Sequence, residues 1–241
     1  SFKTVFLPAN PKIIKIDINK TEEIHYECID NKKNNKKIIL KKGELNLVKG
    51  KSGTGKTTLL DLFTGLLNPE YGIWNIVSES KVLKLNGYNC QKFLSDNCSY
   101  AVQNTAIFEG NIFFNLFLED HNDFFISKIT KREIKPHQIL NWLRILDLDH
   151  IFNKTNNFLR EKDLSEQSLS GGEIHRLGLL RTWLIDHPIE VLDEPTAFLD
   201  KKTSRRIIDT ILERSKKKII FVSSHDSSLI RISRNLIKIS S

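Results

Sequence analysis

The chain has 241 residues, of which 39% are hydrophobic and 27% charged, a balance typical of a globular protein with a sizeable core. It has no uninterrupted apolar run of roughly 18 residues, and its three cysteines lack C-x-x-C spacing, so we expect no membrane span, disulfide scaffold or zinc site. The net charge of +8 permits nucleic acid, anionic lipid or a polyphosphate as partner. Because the chain has no Met, we expect it to be part of a longer protein.

The N-terminal part predicts a linker followed by short strands. Residues 1–12 carry two prolines and predict the linker, and strands are predicted over 13–18 and 24–29. The segment 31–37 is rich in lysine and asparagine and predicts a solvated loop, with contact to nucleic acid as the alternative.

From residue 44 the sequence predicts a strand, a glycine-rich turn and a helix in succession. A short apolar strand precedes the glycines over 50–55. Apolar residues then recur at helical spacing over 59–67, until Asn68-Pro69 stops the run. Further strands are predicted over 73–77, 99–103, 189–192, 219–223 and 236–239.

Residues 104–168 follow a different pattern. Ile139, Leu143 and Leu146 recur at helical spacing, and Pro136 suits a first helical turn. We interpret this segment as a helical insertion in an otherwise alternating α/β chain.

Residues 50–57 fit the phosphate-binding pattern G-x-x-x-x-G-K-[ST] at every defined position. Glycines let successive N–H groups turn toward phosphates, and the following helix adds its positive dipole. Lys56 would supply a charge for the outer phosphates, and Thr57 a hydroxyl for Mg²⁺. The alternative is a glycine-rich turn that only caps a helix. We predict that a nucleoside triphosphate is bound by Gly50, Ser52, Gly53, Thr54, Gly55, Lys56, Thr57 and Thr58.

Asp193 and Glu194 close an apolar strand and are followed at once by Pro195. An Asp at the end of such a strand can hold Mg²⁺ through water, and the next Glu can polarise the water that attacks the γ-phosphate. Alone, the pair would indicate a solvated acidic turn. Beside a phosphate loop it indicates hydrolysis.

Residues 170–173 read Ser-Gly-Gly-Glu and have the S-x-x-E spacing of a helix capping box. The helix that they open has an N-terminus free of side-chain bulk at Gly171 and Gly172, and such an end binds anions. The alternative is a cap without a ligand, which has no need of two glycines.

The segment Leu169-Ser170-Gly171-Gly172-Glu173 resembles the LSGGQ signature of the ABC (ATP-binding cassette) ATPases, in which Glu is also common at the fifth place. Other motifs stand in the order of that family over about 43–225. They are the phosphate loop, Gln103 in YAVQNTAIF, the signature, Asp193 and Glu194 in LDEP, Asp200 in AFLD and His225 in FVSSH.

The resemblance implies an α/β fold with a P-loop NTPase core, a mixed or parallel sheet, an N-terminal antiparallel β subdomain and an inserted α-helical subdomain. One ATPase domain would span 13–241, with its insertion at about 104–168. Two such domains would pair head to tail, with ATP between the phosphate loop of one and Ser170 and Gly172 of the other.

The resemblance also implies a role for each matching residue. Thr57, Gln103 and Asp193 would hold Mg²⁺, and Gln103 would also touch the attacking water. Glu194 and His225 would act on the water and the γ-phosphate, and Asp200 would communicate across the dimer.

Two positions fit the pattern of the family less well. Tyr26 has the spacing of the family's adenine-stacking aromatic, and we expect it either to stack on adenine or to pack in the sheet. Glu190 stands where the family usually has an apolar residue, so we expect one edge of the strand over 189–192 to be unusually exposed.

The function implied is ATP hydrolysis that powers solute export, at the cytoplasmic face of a membrane. ATP and Mg²⁺ are the expected cofactors. A second nucleotide-binding domain and membrane domains upstream on the same parent chain are the expected partners, and no nucleic acid is expected. The alternative is a soluble ABC ATPase acting on nucleic acid or ribosomes, which the charge of +8 supports. An unrelated P-loop kinase would have no use for LSGGE.

An aromatic segment over residues 107–118 follows Gln103 and resembles the phenylalanine-rich sequence that ABC exporters have at this place. Its apolar residues cover all sides of a helix, so some must face outward and mark an interface with the membrane domains. We expect at least two of four rings to be more than a quarter exposed in one groove, the alternative being that all four are core. The rings are Phe108, Phe113, Phe114 and Phe117.

Overall fold

The computed structural model describes residues 20–29, 35–67, 72–79, 81–117, 126–127, 132–133, 136–151, 163–164 and 168–239. The predicted linker over 1–12 and the predicted strand over 13–18 lie outside these ranges.

The described ranges contain both strands and helices, with three strands before the first helix. The strands are β1 (Thr21–Ile29), β2 (Asn35–Lys41), β3 (Leu45–Lys49), β4 (Ile73–Ser78), β5 (Lys81–Leu85), β6 (Cys98–Ala101), β7 (Gly110–Asn111), β8 (Ile126–Ser127), β9 (Arg132–Glu133), β10 (Asp163–Leu164), β11 (Ile189–Asp193), β12 (Ile219–Ser223) and β13 (Asn235–Lys238). The helices are α1 (Lys56–Thr64), α2 (Gly87–Asn97), α3 (Ile112–Phe117), α4 (Pro136–Ile145), α5 (Gly171–Ile185), α6 (Lys201–Ser215) and α7 (Ser227–Ile232), with a 3₁₀ turn at Asp149–Ile151.

A parallel sheet of five strands, in the order β13-β3-β12-β11-β6, forms the centre of the fold. Every residue of β11 and β12 is buried, as expected for strands covered by helices on both faces. The buried side chain of Asn46 ties the sheet together across β3. It donates to the Ile220 carbonyl at 2.9 Å and accepts from Asn235 Nδ2 at 2.8 Å.

A separate antiparallel sheet of four strands has the order β2-β1-β4-β5. The α/β class and the antiparallel sheet near the N-terminus are therefore confirmed. No described helix combines the length and apolar composition that a membrane crossing requires.

Parallel strands end at the same edge of their sheet. Several of the predicted site residues lie at this edge, directly after the strands. β3 ends one residue before Gly50, and β11 ends at Asp193. β12 and β6 end two residues before His225 and Gln103. A crevice outside the carboxyl ends of parallel strands is where α/β proteins bind ligands.

Four elements, β2, β5, α2 and α1, differ clearly from the sequence prediction. β2 begins at Asn35, so the predicted loop over 31–37 is too long. β5 and α2 were not predicted. The apolar pattern of α2 is weak, because this helix buries only Cys90 and Leu94. α1 ends at Thr64 rather than near residue 67. Gly65 follows in the left-handed conformation with φ of 77°, which terminates the helix.

The predicted exposure of Glu190 is wrong. Its side chain is 0% exposed, and its strand, β11, lies between β6 and β12 in the sheet. The Arg214 guanidinium donates to both carboxylate oxygens, with Nε 3.0 Å from Oε2, and Lys218 Nζ lies 3.0 Å from Oε1. Asp186 contacts the same two cations, so two acids face two bases. Charge pairing, rather than water, therefore accommodates Glu190.

The aromatic segment after Gln103 is only partly outward-facing. Phe108 is 43% exposed and Phe114 is partly exposed, with ring centroids 6.2 Å apart. Phe113 and Phe117 are 4% and 3% exposed and pack in the core. The alternative that all four rings are core is therefore wrong, and the outward surface consists of Phe108 and Phe114.

Candidate functional site

The phosphate loop has the backbone that its glycines require. Gly53 and Gly55 adopt φ values of 78° and 90°, which are unfavourable for residues with a Cβ. A Cβ on Gly50 would lie 2.6 Å from Thr54 Oγ1 and 2.9 Å from the Ile239 carbonyl. No side chain caps the N-terminus of α1. Its first N–H groups are therefore available to an anion.

Lys56 directly follows the last glycine of this loop and is the first residue of α1. Its Nζ donates to the carbonyl oxygens of Gly50 at 2.9 Å and Lys51 at 3.0 Å. The loop backbone therefore holds the ammonium group beside the N–H groups of the helix end, where it would meet the outer phosphates of a nucleotide.

Thr57 and Asp193 meet beside the loop, although they are far apart in the sequence. Thr57 Oγ1 donates to Asp193 Oδ2 at 3.2 Å, and Asp193 is 4% exposed at the end of β11. A hydroxyl and a carboxylate oxygen are ligands that Mg²⁺ prefers. This pair fits a magnesium ion that also contacts the nucleotide.

Glu194 and His225 form a second pair at the same edge. Glu194 has φ of 50°, and its N–H donates to the Ser223 carbonyl at 2.9 Å. The His225 N–H donates to Glu194 Oε2 at 3.2 Å, and His225 Nε2 lies 3.7 Å from Oε1. An uncommon backbone conformation thus places the carboxylate beside the imidazole.

Gln103 is exposed and is tied to α5. His175 Nδ1 donates to the Gln103 carbonyl at 3.2 Å, and Arg181 Nη1 donates to the Ala106 carbonyl at 2.7 Å. Arg181 also donates to Asn115, and its burial lowers its pKa to about 10, so it stays charged. Neither His175 nor Arg181 was predicted from the sequence as part of the site. Arg181 interrupts an apolar helical run, which is a signal that it has buried partners.

Ser170 begins α5 with the predicted capping box, which is confirmed. Ser170 Oγ accepts from the Glu173 N–H at 3.3 Å, and Glu173 Oε2 accepts from the Ser170 N–H at 2.7 Å. His150 Nε2 lies 2.7 Å from Glu173 Oε1, a partner that the sequence analysis missed. Burial raises the pKa of Glu173, but these hydrogen bonds outweigh it and lower the pKa to about 2.

Asp200 caps α6 and accepts hydrogen bonds from the N–H groups of Lys202 and Thr203 at 2.8 and 3.0 Å. The hydrogen bonds from Thr203, with that from Lys202, lower the pKa of Asp200 to about 2. Asp200 is therefore ionised, and its local role is structural.

Tyr26 does not offer a platform for adenine. It is 5% exposed, its ring centroid lies 4.5 Å from that of Trp74, and burial raises the pKa of its phenol. Phe63 packs on it edge-on at 6.1 Å. The adenine-stacking interpretation is wrong, because alternation along β1 turns Tyr26 to the core face of the sheet.

We expect Tyr26→Leu to lower the free energy of unfolding by about 1–2 kcal/mol, because the aromatic contacts with Trp74 and Phe63 are lost. The dissociation constant for ATP should stay unchanged. Urea unfolding and nucleotide titration measure the two effects. A folded variant with weakened ATP binding and unchanged stability would contradict the core assignment.

The predicted residues form two groups. The phosphate loop, Asp193, Glu194 and His225 share the carboxyl edge of the parallel sheet. Ser170 and Glu173 form the other group, and within the described ranges no hydrogen bond or ion pair joins them to the phosphate loop. One chain therefore presents a phosphate loop and a separate helix end suited to an anion.

Comparison with known proteins identifies relatives of the chain. It is 30% identical over 203 residues to a probable ABC transporter ATP-binding/permease protein of Haemophilus influenzae, covering 84% of this chain and 34% of that protein. It is 29% identical to the nisin transport ATP-binding protein NisT of Lactococcus lactis, covering 83% of this chain and 32% of NisT. The chain thus spans about a third of the length of these relatives.

The fold is also found in a solved structure of a bacterial Atm1-family ABC exporter with ATP bound. The TM-score is 0.72 at 17% identity, over 97% of this chain and 39% of that one. A profile of the ABC transporter family matches residues 34–197, more than half of the chain. The ordered motifs, the phosphate-loop geometry and this match agree, and the chain belongs to the ABC transporter family.

Proposed function

We propose that this chain is the ATP-binding and ATP-hydrolysing domain of a membrane exporter, and that it dimerises head to tail around two ATP molecules. The convergence of Thr57 with Asp193, and of Glu194 with His225, at the end of the phosphate loop carries the proposal. This arrangement supplies a cradle for phosphates, ligands for Mg²⁺ and a carboxylate for water.

In this mechanism the loop N–H groups and Lys56 bind the phosphates, and Thr57 and Asp193 would hold Mg²⁺. When bound, this ion would supply positive charge that offsets part of the phosphate charge. Glu194 orients a water molecule and accepts its proton as the water oxygen bonds to the γ-phosphorus. The bond from that phosphorus to the bridging oxygen breaks and leaves ADP. His225 would hold the γ-phosphate, since its ring lies beside Glu194.

A second chain would complete each site. The N-terminus of α5 is exposed at Ser170 and Gly171 and is suited to an anion. Head-to-tail pairing would bring it to the γ-phosphate on the partner's loop. This arrangement uses both groups of residues, which a monomer keeps apart.

The relatives support the transport part of the proposal. Their names combine ATP-binding with permease or transport, so we infer membrane domains as partners and the cytoplasmic face of a membrane as the location. The outward surface of Phe108 and Phe114, which follows Gln103 closely in the sequence, is suited to contact with those domains. His175 and Arg181 lie on α5 and donate to the carbonyls of Gln103 and Ala106. A movement of the segment that follows Gln103 would therefore be transmitted to α5.

Mixing two inactive variants tests the paired site. Lys56→Ala should abolish hydrolysis by removing the phosphate cation, and Ser170→Arg should abolish it by blocking the helix end while each monomer still binds ATP. In a mixed dimer, one site combines the intact Lys56 of one chain with the intact Ser170 of the other. An equal mixture should therefore recover roughly a quarter of wild-type turnover, since half of the dimers have one intact site of two.

The mixture should be compared with each variant alone at the same total concentration. No recovery on mixing, with both variants folded and Ser170→Arg binding ATP, would show that Ser170 does not act on the partner's nucleotide. Normal turnover by Lys56→Ala alone would contradict the phosphate-loop assignment.

A further inference from the structure

The carboxylate of Glu173 is held on both of its oxygens in the first turn of α5. Oε2 accepts hydrogen bonds from the Ser170 N–H and the Ser170 hydroxyl, each at 2.7 Å, and Oε1 lies 2.7 Å from His150 Nε2. Burial raises the pKa of Glu173, but the hydrogen bonds from Ser170 and His150 lower it to about 2. The carboxylate is therefore ionised and can only accept, so His150 Nε2 carries a proton and donates to Oε1.

His150 reaches this helix from a different element. It lies in the 3₁₀ turn Asp149–Ile151, which follows α4. Leu148 and Ile151 are buried in the core on either side of it, and the Ile151 N–H donates to the Leu148 carbonyl at 3.1 Å. The imidazole itself is 57% exposed. The core thus fixes the backbone of the turn, and from this backbone the ring meets one oxygen of the Glu173 carboxylate.

This contact bears on an anion at the same helix end. Under the proposed function, the Ser170 hydroxyl and the neighbouring N–H groups bind the γ-phosphate on the partner's loop. Glu173 opposes that binding in two ways, because its negative charge lies within one turn of the phosphate and its Oε2 takes the hydroxyl hydrogen. The N–H of His150 draws part of the negative charge to Oε1 and holds that oxygen toward the turn, so both effects are weakened.

We propose that His150 is a positioning residue of the paired site, which holds the Glu173 carboxylate so that Ser170 can donate its hydroxyl to a phosphate. The inference rests on the proposed function and adds a residue that stands outside the segment 169–173. His150 acts through Glu173 and not on the nucleotide. Its contribution is needed because residue 173 is charged, and it should therefore vanish when that residue is neutral.

The test is a double-mutant cycle in chains that carry Glu194→Gln, in which bound ATP is not consumed. The cycle compares His150→Ala, Glu173→Gln and the two together with their Glu194→Gln parent. Sedimentation velocity with saturating ATP and Mg²⁺ over a range of protein concentrations gives the dimer dissociation constant. Nucleotide titration of dilute protein gives ATP binding by the monomer. His150→Gln keeps an N–H donor near the place of Nε2, and His137→Ala removes another exposed histidine, on α4.

We expect His150→Ala to raise the dimer dissociation constant by about five- to thirtyfold, since each of the two sites loses a half-exposed hydrogen bond to a carboxylate. ATP binding by the monomer should stay unchanged, because the phosphate loop is untouched. His150→Gln should recover most of the loss, and His137→Ala should have no effect. When residue 173 is Gln, His150→Ala should change the constant by less than about twofold.

An unchanged constant in His150→Ala, or no recovery in His150→Gln, would overturn the positioning assignment while the proposed function stands. So would an equal effect of His150→Ala whether residue 173 is Glu or Gln, since His150 would then support the fold of the turn. A Glu194→Gln parent that binds ATP and stays monomeric would overturn both.

Discussion

Replacing Glu194 with Gln is expected to reduce ATP turnover by about 10²–10⁴-fold, the usual contribution of a general base. The amide keeps the shape of the side chain and can still accept the His225 N–H, but it takes no proton from water. Binding residues such as Lys56 and Thr57 are untouched, so ATP should still bind. Dimers should therefore accumulate with ATP and Mg²⁺, and steady-state hydrolysis with sedimentation measures both effects.

Glu213→Gln is the matched control, because Glu213 is 72% exposed and pairs only with Lys216 on the surface of α6 among the contacts of the described residues. Its turnover should equal that of the wild type. Hydrolysis at an undiminished rate by Glu194→Gln would assign the base to another residue. A variant that loses ATP binding as well would indicate that Glu194 supports the fold of the site.

The largest expected effect on stability is that of Arg214→Ala, which should lower the free energy of unfolding by about 3–5 kcal/mol. The change leaves the buried carboxylate of Glu190 with Lys218 alone. It also removes the guanidinium from the rings of Trp142 and Trp183, whose centroids lie 5.4 and 5.8 Å from it. Equilibrium urea unfolding measures the loss.

Arg206→Ala is the control on the same helix, since Arg206 pairs with a half-exposed Asp147 at 3.2 Å. It should cost at most about 1 kcal/mol. The double variant Glu190→Leu with Arg214→Leu should recover most of the loss, because no buried charge is left unpaired and Asp186 still pairs with Lys218. An Arg214→Ala protein as stable as the wild type would mean that Lys218 alone satisfies Glu190.

The features predicted most closely from the sequence depend on local spacing. The phosphate loop and the capping box of Ser170 and Glu173 each depend on residues within a stretch of eight or fewer. The apolar strand β12 has the predicted bounds. Local chemistry alone determines such features. The structure places the phosphate loop at the carboxyl edge of the parallel sheet and the capping box at the start of α5.

The features that were wrong or missed depend on distant partners. Glu190 can be buried because Arg214 and Lys218, which are distant in the sequence, pair with its carboxylate. No sequence pattern near Glu190 predicts these partners. Tyr26 is core because β4 brings Trp74 against it. Helical spacing continued past Gly65, although that residue ends α1. Tertiary contacts decide such cases, and a linear pattern does not contain them.

The position of β3 has a consequence for the order in which the protein is made. The strand that carries the phosphate loop lies between β12 and β13, and Asn46 bonds to residues 174 and 189 positions later. A growing chain therefore exposes this loop long before the neighbours of β3 exist. Such distant pairings close late in folding. The phosphate loop is therefore expected to reach its final geometry only after β12 and β13 have paired with β3.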